Sequence, residues 1–145
     1  MTMLKATVIA ALLCLLVSGA TELGAQDRMR AGNWESTVTS SDGKTTTRNA
    51  CLDAQMAARS NGSPESIRTE IEKAITKGGR CKLKDFSIDA KSKMETMVCG
   101  EDTIRNETTF HGGDSFETTT TRTSGGVVTV AHFKGRRTGE CKAEE

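Results

Sequence analysis

Thr103-Ile-Arg-Asn-Glu-Thr-Thr-Phe-His111, then Gly112-Gly-Asp114, then Ser115-Phe-Glu-Thr-Thr-Thr-Thr-Arg-Thr123, then Ser124-Gly-Gly126, then Val127-Val-Thr-Val-Ala-His-Phe-Lys-Gly135, follow one another without a break. Three runs rich in Thr, Val and Phe are separated by turns built on paired glycines, the residue that accepts the positive φ of a tight connection. Links of this length join antiparallel neighbours, so the stretch predicts a meander whose successive strands pair in space. A short end segment over 138–142 completes it.

The same grammar appears upstream. Trp34 to Ser40 and Lys44 to Cys51 flank Asp42-Gly43, a strong tight-turn dipeptide, and read as a hairpin. Phe86 and Ile88 lie on one arm of another hairpin, Met94 to Val98 on the other, with Lys91-Ser92-Lys93 near the turn. Between the hairpins the character changes. Asp53 caps a short helical turn through Arg59, and Ser63-Pro64-Glu65 combines cap, first-turn proline and early acid. Ile67, Ile71, Ala74 and Ile75 recur at helical spacing until Gly78-Gly79 stops the run. The predicted fold is mainly β (α+β). It is a single-domain curved antiparallel meander sheet with one packed helix, whose apolar stripe lies on the sheet. A sandwich, a half-barrel and a closed barrel all satisfy this pattern.

The first 20 residues change what is counted afterwards. A basic start ending at Lys5, an apolar run from Ala6 to Val17 and the small residues Ser18-Gly19-Ala20 have the layout of a cleaved secretory signal. Cleavage after Ala25 is the alternative. The run falls short of the roughly 20 apolar residues that span a bilayer, so no stable membrane anchor is expected after cleavage. Leu13 stands where a lipoprotein needs a small residue before its cysteine, so Cys14 leaves with the signal. Removing residues 1–20 takes one base and no acid, leaving 19 of each sign in a single β-rich domain over 21–145. A net charge of zero argues against general nucleic-acid binding, which favours a strong positive field.

One Trp, four Phe and no Tyr make a thin core, and a small thin core needs covalent help. Cys51, Cys81, Cys99 and Cys141 are an even set in an exported chain, which fits two disulfides. Cys81 and Cys99 flank the second hairpin. Pairing them leaves Cys51 with Cys141, which ties an early strand to the last one. The sequential pairing, Cys51 with Cys81 and Cys99 with Cys141, remains open. Zinc is the competing use of four thiols, but no two stand at C-x2-4-C spacing, and no metal or cofactor is expected.

Candidate chemistry is sparse. His111 with Asp114 and Ser115 is the one local cluster a hydrolase could draw on, yet it lacks a nucleophile elbow and its residues are those of a hairpin turn. His132 belongs on a half-buried strand face with one ring nitrogen satisfied. The consecutive threonines, Thr45 to Thr47 and Thr118 to Thr121, point to both faces of their strands, and high β-propensity on solvated strands accounts for them. Trp34 reads as a core anchor. With Phe86, Phe110, Phe116 and Phe133 it could also line an apolar cavity under the sheet.

Several landmarks resemble one family. They are Gly32-Asn33-Trp34-Glu35, Cys51-Leu52, Cys81 with Phe86 then Cys99, Gly113-Asp114-Ser115-Phe116, and the closing Gly135-Arg136-Arg137-Thr138-Gly139-Glu140-Cys141. Their order is similar to that of the domain of unknown function 3617 family of small secreted Gram-negative proteins. Ala31 stands where a proline is common there, Asp53-Ala54 replaces a usual Thr-Pro, and Phe116 stands where Tyr is frequent. The resemblance implies a periplasmic, cysteine-stapled β-rich domain and carries no activity, substrate or catalytic residue.

The function expected is that of a non-enzymatic periplasmic binding module for a small apolar ligand, a lipid or an envelope protein. The alternative is a protein-interaction or inhibitor-like module with no ligand cavity.

Overall fold

A computed structural model describes residues 27–142. The apolar leader and both expected cleavage positions lie outside them. Seven strands and two helices follow in the order β1 (Gly32–Thr39), β2 (Thr45–Leu52), α1 (Ala54–Ser60), α2 (Pro64–Lys77), β3 (Cys81–Ile88), β4 (Ser92–Cys99), β5 (Asp102–His111), β6 (Ser115–Ser124) and β7 (Val127–Gly139). The strands form one sheet in the order β2-β1-β7-β6-β5-β4-β3, antiparallel throughout. From β3 to β7 it is the expected meander. The step the local pattern does not contain is β1 against β7, which brings Trp34 opposite Arg137.

Of the alternatives left open by the sequence, the closed barrel is excluded. There is a single open sheet, with β2 and β3 as its two edges. There are two helices where one was expected, because the turn capped by Asp53 closes into α1. The Asp53 carboxylate accepts the Met56 amide at 2.8 Å. The Ser63 hydroxyl accepts the Ser66 amide at 3.2 Å, with Pro64 in the first turn of α2. The stripe of α2 meets the edge strand β3. Ile67 and Ile71 line a groove with Ile88 and Lys93, and no residue of α2 is fully buried.

Opposite residues of an antiparallel pair share a face. Trp34 faces Arg137, Val38 faces Phe133, Phe133 faces Thr118, Phe116 faces Phe110 and Phe86 faces Glu95. The register links these pairs across the sheet, so all five aromatic residues stand on one face. The other face carries ion pairs such as Arg105 with Glu107 at 2.8 Å and Lys134 with Glu117 at 2.9 Å.

The core is as thin as the composition implies. Among the described residues, Trp34 and Ala57 are the buried hydrophobic side chains. Removing an aromatic ring system from water takes away roughly 150–250 Å², worth about 4–6 kcal/mol at 25 cal/mol/Å². Trp34 at 3% exposure is therefore the largest single apolar contribution. Its indole N–H donates to the Arg30 carbonyl at 2.9 Å, so burial leaves no orphaned donor.

The disulfides are Cys51–Cys141 and Cys81–Cys99, which resolves the open pairing. Cys81 and Cys99 are direct partners across β3 and β4. Cys51 on β2 pairs with Asn33 on β1, and Asn33 pairs with Gly139 at the end of β7, so Cys51–Cys141 clasps the end of β1 between its neighbours.

Candidate functional site

Two constructions meet on the aromatic face. The first is a framework at the end of the sheet where β1 begins. The Phe116 ring covers Gly135, where a Cβ would fall inside the ring, and lies 5.9 Å from the Trp34 indole. Gly32 combines a positive φ of 144° with an approach to the Gly139 carbonyl and the Arg137 side chain that leaves no room for a Cβ. Arg137 donates from Nε to the Ala31 carbonyl at 2.7 Å and pairs with Glu140, while Arg136 pairs with Glu35 at 2.8 Å on the opposite face. The Gly113 carbonyl accepts the Arg30 amide at 2.9 Å, and Arg30 pairs with Asp114.

Arg28 fastens this end to the helices. It is 8% exposed and donates to three backbone carbonyls, Asp89 and Ser60 at 2.8 and 2.9 Å and Gly62 at 3.2 Å. Burial lowers its pKa, and the nearby Asp89 charge opposes that. Asn61 completes the joint, accepting the Arg28 and Met29 amides and donating to the Met29 carbonyl.

The second construction is a polar row crossing the middle of the same face. The Thr120 hydroxyl donates to Asn106 Oδ1 at 2.7 Å, and Asn106 Nδ2 donates to Glu95 Oε1 at 2.9 Å. Lys93 Nζ stands 3.3 Å from Glu95 Oε2, and Thr108 and Thr118 share a hydrogen bond at 2.8 Å. Glu95 and Thr108 are buried. With Phe116 and Phe133, these side chains line an open cleft of about 240 Å³.

The five aromatic residues singled out from the sequence share a face but divide their roles. Phe116 and Phe133 line the cleft. Trp34 stands behind Phe116, Phe110 is its cross-strand partner, and Phe86 lies on β3 opposite Glu95. The lining is mixed rather than the purely apolar one expected, because Thr108, Thr118, Thr120 and Asn106 alternate inward on β5 and β6. Thr118 and Thr120 are half-buried, where their run was read as solvated. Lys93, Glu95 and Asn106 were not among the sequence candidates. Their signal was available, since Lys93, Glu95 and Met97 alternate onto one face of their strand.

The histidines do not converge with this site. His111 is exposed on the outer face, opposite Ser115, and Asp114 is held by Arg30. His132 is exposed rather than half-buried, with Nδ1 3.3 Å from the Thr119 hydroxyl. Among the described residues no three His, Cys, Asp or Glu side chains gather as a metal ion requires, and no helix is long and apolar enough to cross a membrane. Two disulfides fit an oxidising compartment outside the cytoplasm.

No match to the chain was found among curated proteins or among solved structures. The family model described as "Protein of unknown function (DUF3617)" matches residues 29–141. That span runs from Met29, next to Arg28, to Cys141. It takes in both disulfides, the Gly32–Glu35 entry, the Asp114 turn and the Gly135–Cys141 close, and the chain belongs to the DUF3617 family.

Proposed function

We propose that the protein is a non-catalytic binding module of the Gram-negative periplasm, and that its site is the cleft on the aromatic face. The observation that carries this reading is the pairing in one cleft of two aromatic rings with a buried, internally ordered polar row. The row borders a hollow of about 240 Å³ beside Phe116 and Phe133. A few fixed polar groups against an apolar wall is the composition of small-molecule sites in general. The apolar leader and the two disulfides support export. The non-catalytic reading is supported by carboxylates already engaged near His111, Asp114 with Arg30 and Glu117 with Lys134.

Trp34 provides the test, since it is the only tryptophan and its indole lies 5.9 Å from the Phe116 ring. Titration with the apolar fluorophore N-phenyl-1-naphthylamine should give saturable energy transfer from Trp34, abolished by Phe133→Ala. Non-saturable or unchanged transfer would count against the cleft.

A protein-interaction module is the second reading, favoured by β2. Residues 45–51 are all exposed, and among the described residues the outer edge of that strand has no partner. Such an edge can accept an added strand. Replacing Thr47 with proline would remove a backbone donor. A partner captured by the native protein and lost by that variant would favour this reading over the cleft.

A further inference from the structure

The cleft adjoins a second hollow along one row of the sheet. Ile88 on β3 faces Lys93, Lys93 faces Thr108, Thr108 faces Thr118, Thr118 faces Phe133 and Phe133 faces Val38, so six adjoining strands each give one side chain to a single line across the aromatic face. The middle of this line floors the cleft of about 240 Å³. Its β3 end floors a second open hollow, of about 410 Å³, where Ile67, Ile71 and Ala74 of α2 stand with Ile88 and Arg59. Lys93 lines both hollows. Ile67 and Ile71 are only half-buried, because α2 leans on β3 without sealing the space between them.

We propose that the two hollows together hold one long-chain fatty acid, its chain laid along the line, its carboxylate at Arg59 and its tail end against Phe116 and Phe133. The proposal rests on the cleft being a ligand site and adds the class of ligand. Shape selects a single unbranched chain. Four strand spacings of about 4.8 Å put Ile88 and Phe133 roughly 19 Å apart, the reach of an extended palmitoyl chain. Both ends are walled by apolar side chains, and the polar floor between them makes no demand on a ligand. Thr108 and Thr118 bond to each other at 2.8 Å, Asn106 bonds to Thr120 and Glu95, and Glu95 pairs with Lys93 at 3.3 Å. Methylenes can cover such a floor without orphaning a donor. Charge selects the head. Of the charged side chains in the two linings, Lys93 and Glu95 pair with each other, and Glu70 pairs with Lys73 at 3.5 Å. Arg59 is the one that remains, and among the described residues no carboxylate lies within ion-pairing range of it. A carboxylate there gains a charge-assisted contact while the head stays at the mouth, in water.

Equilibrium dialysis of the disulfide-intact protein against radiolabelled single-chain probes tests this. Palmitate should bind saturably, one per chain. Affinity should rise at least tenfold from octanoate to palmitate and rise no further at docosanoate, whose chain outruns the line. Hexadecanol should bind about three- to fivefold more weakly than palmitate, the size of a partly solvated ion pair, and hexadecylamine more weakly again. Arg59→Gln should bring palmitate down to hexadecanol and leave hexadecanol unchanged. Thr118→Phe, checked for an unchanged melting temperature, should block the middle of the line and weaken palmitate at least tenfold while sparing octanoate. The length series decides the matter without that variant if it does not fold. The proposal is overturned if palmitate does not saturate, if affinity climbs on to docosanoate, if hexadecanol or hexadecylamine binds as tightly as palmitate, or if a folded Thr118→Phe protein keeps its palmitate affinity. Where N-phenyl-1-naphthylamine still binds and is lost in Phe133→Ala, those results remove the fatty acid and leave the cleft. Where the fluorophore also fails, both fall.

Discussion

The ring of Phe116 on β6 fills the space above Gly135 on β7 that a side chain at 135 would need. Gly135 is not required by its φ, so its role is steric. Gly135→Ala should lower the unfolding free energy by about 1–3 kcal/mol, the usual cost of overpacking, read as a lower urea midpoint by Trp34 fluorescence. Combining it with Phe116→Leu should recover part of the loss, since residues in contact couple. Strict additivity would mean the ring does not depend on the glycine.

Arg28 joins three segments far apart in sequence through its bonds to the Ser60, Gly62 and Asp89 carbonyls. Arg28→Met keeps most of the stem and removes the donors. It should cost about 1–3 kcal/mol, the range for leaving a buried acceptor unpaired. Hydrogen exchange should quicken first in the link between α1 and α2. Exchange quickening uniformly over the sheet instead would contradict this joint.

The two disulfides should not contribute equally. Cys51–Cys141 spans 90 positions and Cys81–Cys99 spans 18. Loop entropy assigns about 5 kcal/mol to the longer and about 3 to the shorter. Urea unfolding of the two paired Cys→Ser variants should therefore show the larger loss for Cys51/Cys141. The reverse order would mean that the unfolded chain is already held together by other contacts.

Asp89 sets an acid response. Its carboxylate accepts the backbone amides of Lys91 and Ser92, each at 2.7 Å. Those two bonds, the Lys91 one foremost, hold its pKa below the ordinary aspartate value. A carboxyl lowered by folding contributes stability that is present above its unfolded pKa of about 4 and lost as pH falls through the folded value. Carbon-detected titration should place the Asp89 midpoint below that of an unfolded peptide, and Asp89→Asn should flatten the loss of stability below pH 4. A midpoint at or above the peptide value would refute the assignment.

The fold was legible where the signal was local. Asp42-Gly43, Gly112-Gly113-Asp114 and Ser124-Gly125-Gly126 mark turns by chemistry that few other sites tolerate, and Ser63-Pro64 marks a helix start. The β1–β7 pairing was not legible, because it is non-local and no periodicity encodes it. Only the cysteines hinted at it. The aromatic half of the site was visible, since Phe and Trp are conspicuous in this composition. The polar half was hidden in strands that read as solvated. A Glu between Met94 and Thr96, or a Thr in a run of four, gains its meaning only when register assigns it a face. Of the family landmarks only Phe116 lines the cleft, while Gly32, Trp34, Asp114, Gly135 and Arg137 build the framework beside it.

Native mass spectrometry of the protein, produced with its leader in a Gram-negative host and purified without refolding or detergent, tests the claim of a ligand cleft most directly. The account predicts a reproducible bound mass that leaves on denaturation and is diminished in a Glu95→Gln, Phe133→Ala double variant that keeps both disulfides. A bare protein mass in repeated preparations, or a bound mass indifferent to those two substitutions, would contradict it.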